Sequence, residues 1–413
     1  MKNKSYKHWL IVVFMCCLSA SSIGLCTNSV GVFYIPVSES LGVLKGTFAM
    51  HATLSSLATA VTSLFMSRVM RRYHYKKILI FGILLATGST VLMAFSHSVW
   101  LFYILGIIRG IGVGIYGMVP LTVIITNWFV EKHGIATSIA LSFSGLSGAI
   151  FSPLLSSWIT SYGWHTTYLM MAACIFVLTI PAIVVPWSIH PQNMKLLPYG
   201  YEKTETAKQT VQKTKLNLIS ISFLCLCIFT VLHTSITGIS QHLSGMATSI
   251  GLTSTIGATM MSLTMFGNIS TKLLIGFISD LLNPVKACMI MIFVNVVSLC
   301  FLWNGMLTGN AAVLLVSSFA FGSIYSVGAV GIPLLTRYFF GNENYLSTYS
   351  VIGFLTNVGS SSSLTLIGYA YDFTGGYTIV IFIALIFHAV NLIFLMIIRL
   401  RYQKDYLKMK GEC

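Results

Sequence analysis

Residues 266–280, FGNISTKLLIGFISD, decide the fold. Lys272 lies inside an apolar run that closes on Gly276 and Asp280, so a membrane span carries a cation within it. At the bilayer centre such a lysine costs about 2.5–3.5 kcal/mol, so by default it faces a protein-lined cavity and has a partner. The rest of the chain has the same character: of 413 residues, 56 % are hydrophobic and 8 % charged, with mean hydropathy +0.85. Soluble domains carry about 25 % charged residues, so a soluble globular chain is excluded.

Crossing a hydrocarbon core of about 30 Å takes about 20 residues. Twelve runs suit that length: 9–36, 47–69, 77–96, 99–127, 134–160, 166–187, 216–240, 252–278, 286–305, 310–338, 346–370 and 376–398. They are far longer than the ~10-residue alternating strands of a membrane barrel. The first run, behind Lys2, Lys4 and Lys7, imitates a secretory signal but stays apolar to Pro36, which makes it a retained span. The expected fold is therefore an all-α membrane protein of twelve transmembrane helices in two six-helix bundles, residues 1–187 and 216–398. Residues 188–215, the one long polar stretch, form a cytoplasmic linker with an amphipathic helix at the surface, and 399–413 a cytoplasmic tail.

Charge placement sets the orientation. Of 24 Lys and Arg, only Lys45 falls outside, and Arg109 and Lys272 lie within spans. All the others fall on one side, which the positive-inside rule makes cytoplasmic, together with both termini. The +15 net charge thus reports topology and contact with anionic lipid in a cell membrane, not a nucleic-acid partner. The nine cysteines, including the pair in CLC at 225–227, show no paired CxxC pattern and read as small packing residues, with no disulfide framework and no metal site. No GxxxxGK[ST] loop occurs, so ATP is not the driver, and no cofactor is expected.

The halves echo each other. Lys77 after span 2 matches Lys286 after span 8 at an offset of 209, Trp128-Phe129 matches Tyr338-Phe339 at 210, and Gly163-Trp164 matches Gly376-Tyr377 at 213. With six plus six spans, a long central loop and the turn Gly276-Phe-Ile-Ser-Asp280 followed by Asn283 and Lys286, the chain resembles the major facilitator superfamily. The copy after span 2 departs from that pattern, with Ser67 and Arg71 in place of glycine and aspartate. The resemblance implies that Gly276, Asp280 and Lys286 form a gating turn.

Within that superfamily the chain looks most like the monocarboxylate transporters and the oxalate/formate antiporter group. Three stretches carry the likeness: Thr27-Asn-Ser-Val-Gly-Val-Phe-Tyr34, Asn127-Trp-Phe-Val-Glu-Lys-His-Gly134, and Phe266 to Gly276. The resemblance places a carboxylate-meeting cation at Lys272. Where those relatives often have a lysine and an aspartate that handle protons, this chain has Asn28 and Asn268, so the resemblance sets both beside the substrate as neutral groups and argues against proton symport. Asn357 stands where some oxalate carriers have a second cation, so one carboxylate is favoured over two.

The residues support an anion independently. All nine acids, Glu39, Glu131, Glu202, Glu205, Asp280, Glu343, Asp372, Asp405 and Glu412, fall in loops, tails or span ends. Arg109 lies about ten residues into span 4, ~15 Å deep, and cannot be titrated away. Two central cations without a buried acid cost about 5–7 kcal/mol, part of which an entering anion would recover. Arg109 either donates two parallel hydrogen bonds to a carboxylate or caps carbonyls of another span. Lys272 either meets the substrate or snorkels to the inner face. Asn268, one helical turn before Lys272, either supplies neutral donors beside the amine or joins helices. Tyr116, seven residues after Arg109 and so on its face, and Tyr325, at the matching place of the other half at the offset of 209, either close the site with their hydroxyls or pack at interfaces. His51, His233, His242 and His388 read as structural histidines rather than proton relays.

The sequence thus points to secondary active or facilitative transport of a small organic anion, a monocarboxylate, by alternating access, in a monomer that exchanges a counter-anion or works as a uniporter. The rival on the same fold, a proton-driven exporter of drugs or cations, lacks an intramembrane acid, and Pro153 comes too late after Gly145-Leu-Ser-Gly148 for that family's Gly-Pro signature. An enzyme would need clustered His, Asp or Glu within spans.

Overall fold

The computed structural model describes residues 5–201 and 220–410. Lys2, Lys4, the linker lysines Lys203, Lys208, Lys213 and Lys215, and the expected surface helix of the linker lie outside the described residues. The chain divides into two compact units, Met1–Gln209 with Tyr349–Asn357, and Thr210–Thr348 with Val358–Cys413.

Among the described residues ten helical runs are long and apolar enough to cross a membrane. Two are far longer than one crossing: His133–Val184, of 52 residues, is broken at Gly163 (φ 76°), and Ala311–Ser363, of 53, at Gly341 (φ 71°). Glycine adopts positive φ without steric cost, so each break joins two helical pieces with no loop between them. Ten separate runs thus stand where the sequence led one to expect twelve. The only β pairing among the described residues is a bridge between Phe129 and Tyr199.

In the first unit, α1 (Ser5–Ser19) continues through a π-helical stretch, Ala20–Asn28, and a 3-10 turn, Val30–Phe33, into α2 (Tyr34–Leu41). Next come α3 (Lys45–Arg72), α4 (Tyr75–Met93), α5 (Val99–Tyr116), α6 (Met118–Trp128) and α7 (His133–Val184). Their shared core contains Leu25, Phe33, Phe48, Phe102, Tyr168 and Met171, all wholly buried.

The second unit holds α8 (Ile221–Ile236), α9 (Ile239–Ser249), α10 (Ser254–Leu281), α11 (Pro284–Thr308), α12 (Ala311–Phe321), α13 (Ser323–Ser326), a π-helical stretch Val327–Gly331, α14 (Ile332–Thr374) apart from its segment Tyr349–Asn357, and α15 (Thr378–Lys410). Side chains start several of these helices: Asn283 Oδ1 accepts from Lys286 N at 2.9 Å, and Asn310 Oδ1 from Ala312 N at 3.0 Å. The internal repeat extends to the helices themselves, because Lys45 and Ser254, Arg72 and Leu281, and Tyr75 and Pro284 all differ by 209.

Small residues let paired helices touch backbone to backbone. Along α5, a Cβ on Gly106 would lie 2.6 Å from the His51 carbonyl oxygen, and one on Gly110 would strike that of Ser55. Thr59 Oγ1 also donates to the Gly110 carbonyl at 2.9 Å. The second unit repeats the device, with Gly267 and Gly322 joining α10 to α12 and Thr264 Oγ1 donating to Ser318 O at 2.9 Å.

The start of the linker is stitched to the first unit. Tyr199 N donates to Trp128 O at 2.8 Å, Val130 N donates to Tyr199 O at 3.0 Å, and His8 Nε2 donates to Leu197 O at 2.9 Å. Rings of His8, Trp9, Phe129 and Tyr199 pack around these bonds. Gly200 (φ 83°) completes the turn against the Glu131 side chain.

Two outcomes follow from this packing. Gly110→Ala should destabilise the detergent-solubilised protein by about 1–3 kcal/mol, the usual cost of overpacking, read as a lower thermal midpoint; Gly88→Ala, facing open space, should leave the midpoint nearly unchanged. Gly200→Ala should cost about 1–2 kcal/mol for a left-handed residue and speed proteolytic cleavage near residue 200.

Candidate functional site

Arg109 sits midway along α5, and the glycines around it determine where its side chain can go. Gly106, Gly110 and Gly114 are covered by α3, and Gly112 by α4, where an added Cβ would lie 2.6 Å from the Gly82 carbonyl oxygen. The guanidinium is wholly buried. Its Nη1 reaches Met93 Sδ at 3.6 Å, a weak acceptor, while Nε and Nη2 have no hydrogen-bond partner. No carbonyl of another span is capped by it. Nε–H and Nη2–H form the edge of the guanidinium whose bonds run parallel, the edge that grips a carboxylate with two hydrogen bonds.

The charge of Arg109 acts on Cys26, Tyr34, His51, Tyr116 and Tyr168. These come from the π-helical stretch of span 1, α2, α3, α5 and α7, so the whole first unit converges on the arginine. Tyr168 stacks on Phe33 with ring centroids 4.0 Å apart, and its hydroxyl is unpartnered. His51 Nδ1 donates to the Phe48 carbonyl at 2.6 Å, leaving Nε2 as a buried lone pair without a donor. Tyr116, as its spacing implies, shares the surroundings of Arg109, with its hydroxyl 3.3 Å from Ser21 Oγ and 4.0 Å from Cys26 Sγ.

In the second unit, Lys272 and Asn268 are 4 % and 3 % exposed on one face of α10. Asn268 Nδ2 reaches only Met265 Sδ, at 4.0 Å, and its Oδ1 has no partner. Tyr325 shares a 2.6 Å hydrogen bond with Ser240 Oγ. Tyr116 ends α5 at a break in the helix, and Tyr325 lies between α12 and the second π-helical stretch, so both tyrosines sit at discontinuities of matching spans.

Other expected residues have local roles. Asn28 is exposed, and its Nδ2 donates to the Ser144 carbonyl at 3.1 Å, joining span 1 to span 5. Gly276 is buried within α10, and Asp280 is exposed in its last turn, where its charge acts on Arg337. Gly276 to Asp280 is thus the end of a helix, and the turn proper is Leu282 and Asn283. Lys286 opens α11 with an exposed side chain.

Two of the histidines expected to be structural have firm partners in the second unit. His233 Nε2 donates to Ile324 O at 3.0 Å; His388 Nε2 donates to Asn295 Oδ1 at 2.8 Å, while Asn295 Nδ2 donates to Phe321 O and Ser323 Oγ. Among the described residues no group of three or more His, Cys, Asp or Glu could hold a metal ion. Tyr34, which closes the stretch at 27–34, and Tyr168, a hydroxyl inside an apolar run, were not singled out as site residues by the sequence.

Known proteins match along most of this chain. An MFS-type transporter of Bacillus subtilis, YcxA, is 22 % identical over 410 residues, covering 94 % of each chain. Monocarboxylate transporter 12 of Xenopus laevis is 24 % identical over 400 residues, covering 90 % of this chain and 84 % of its own. Among solved structures, the proton:xylose symporter XylE superposes with a TM-score of 0.74 at 13 % identity, covering 95 % of both chains, a likeness of fold. Residues 16–260 match the sequence model of the Major Facilitator Superfamily, and the chain belongs to that family of multi-pass membrane transporters.

Proposed function

We propose that this transporter carries a small organic anion, a monocarboxylate, across the cell membrane by alternating access, with both termini cytoplasmic. The observation that supports this most is the unpartnered parallel edge of Arg109, Nε and Nη2, at a wholly buried position. Buried donors left unsatisfied cost about 1–3 kcal/mol each, more when charged. A carboxylate satisfies both with charge-assisted bonds and offsets the buried charge. The likeness to monocarboxylate transporter 12 points to the same substrate class.

In this reading Arg109 grips the carboxylate, and Tyr116 fixes the floor of its site. Lys272 is the buried cation of the second unit, with Asn268 and Tyr325 as neutral groups of that half. Asn28 braces span 1 against span 5 and keeps the π-helical stretch beside the arginine. Gly276, Asp280 and Lys286 belong to the cytoplasmic gating turn. Because no acid lies within a span, the carrier works as a uniporter or an anion exchanger.

Arg109→Gln should lower uptake of a short monocarboxylate into proteoliposomes ~30-fold or more, since breaking a buried charge pair costs about 2–5 kcal/mol. Arg109→Lys, which keeps the charge but loses the fork, should restore only a small part. An unchanged uptake rate in Arg109→Gln would remove the basis for the anion assignment. With wild-type protein, uptake should proceed without matching proton entry when internal pH is followed with a trapped dye. A strict one-to-one proton stoichiometry would replace uniport or exchange by symport.

A further inference from the structure

The turn between α3 and α4 concentrates charge in a small space. Arg68, Arg71, Arg72, Lys76 and Lys77 fall within ten residues, and the run between Glu39 and Glu131 contains no acid. The matching turn of the second unit is composed differently. There the residue corresponding to Arg71 at the offset of 209 is Asp280, whose charge acts on Arg337. The second copy thus contains an acid, and the first does not.

Cytoplasmic orientation alone explains why bases are present, but not why they line concavities. A cavity of about 370 Å³ is bounded by Ser67, Arg68, Arg71 and Arg72. A second, of about 400 Å³, is bounded by Arg72, Tyr73, His74, Lys77, Ile78 and Phe81, so Arg72 borders both. Arg68 and Arg72 stand four residues apart, on one face of the last turns of α3. The turn is held in place from behind: Lys76 Nζ donates to the Val185 carbonyl at 3.0 Å, Tyr75 is buried with its hydroxyl donating to Ile115 O, and Arg72 lies 5.8 Å from the Tyr73 ring centroid.

The second concavity has an apolar wall: Ile78 and Phe81 border it beside Arg72 and Lys77, and Phe81 is 56 % exposed. A free phosphate would use the bases and leave this wall bare. An amphiphile carrying phosphate above acyl chains would use both.

We propose that the α3–α4 turn binds the phosphate headgroup of an anionic phospholipid, with Arg68, Arg72 and Lys77 on the phosphate and Ile78 and Phe81 against the acyl chains. The test uses the full-length protein in mild detergent, incubated with equal amounts of phosphatidylglycerol and phosphatidylcholine, with retained lipid read by native mass spectrometry. Phosphatidylglycerol should be retained in preference, and the preference should fall about fivefold for each charge removed in Arg72→Gln and in Arg68→Gln/Arg72→Gln. Arg72 is exposed, so the single variant serves should the double variant fail to fold. Lys286→Gln, the same charge loss at the matching turn, should leave the preference intact. Equal retention of both lipids, an unchanged preference in Arg72→Gln, or full displacement by inorganic phosphate would each overturn the proposal, the last by showing that the site takes free phosphate.

Discussion

A guanidinium held entirely out of solvent with one edge unspent is the constraint around which the first unit is arranged. Arginine cannot escape burial by losing its proton, so the surroundings must either supply acceptors or leave the edge open to one that arrives. The protein supplies a thioether to Nη1 and no acceptor to Nε or Nη2. Glycines on the other faces of α5 let α3 and α4 close in around the helix that carries the arginine. Packing and electrostatics thus act on one side chain from opposite directions.

The two units share a plan but spend their charges differently. Helices α3 and α10 coincide in length and spacing, and each meets its partner through glycine and threonine. Yet the buried cation lies on α5 in one unit and on α10 in the other, and the turn after the shared helix is wholly basic in one and contains Asp280 in the other. Duplication kept the backbone contacts, which tolerate little change in volume, while the charged side chains diverged.

Much of this architecture was legible from hydropathy and charge, because each span must satisfy its own backbone and so declares itself by length. The repeat seen at Lys77 and Lys286 proved to run through whole helices. Other features left no mark. Gly163 and Gly341 join consecutive spans without a loop, and no residue type announces the π-helical stretches at Ala20–Asn28 and Val327–Gly331. The surroundings of Arg109 were half visible. Tyr116 followed from helical spacing, whereas Tyr34 and Tyr168 come from distant spans that only tertiary packing brings near. Asn28, which family resemblance set beside the substrate, is held by Ser144, a bond that depends on the crossing of spans 1 and 5.

The stitching of the linker to the first unit bears on how the chain is made. The bond from His8 to Leu197 spans 189 residues, and the Phe129 to Tyr199 bridge lies beside it. Large proteins assemble segment by segment as they leave the ribosome, and this unit cannot close the end that carries His8 and Phe129 until residue 199 has been synthesised. Synthesis of the chain's midpoint therefore times the completion of its first half, and a truncation before Leu197 would leave that seam unfastened.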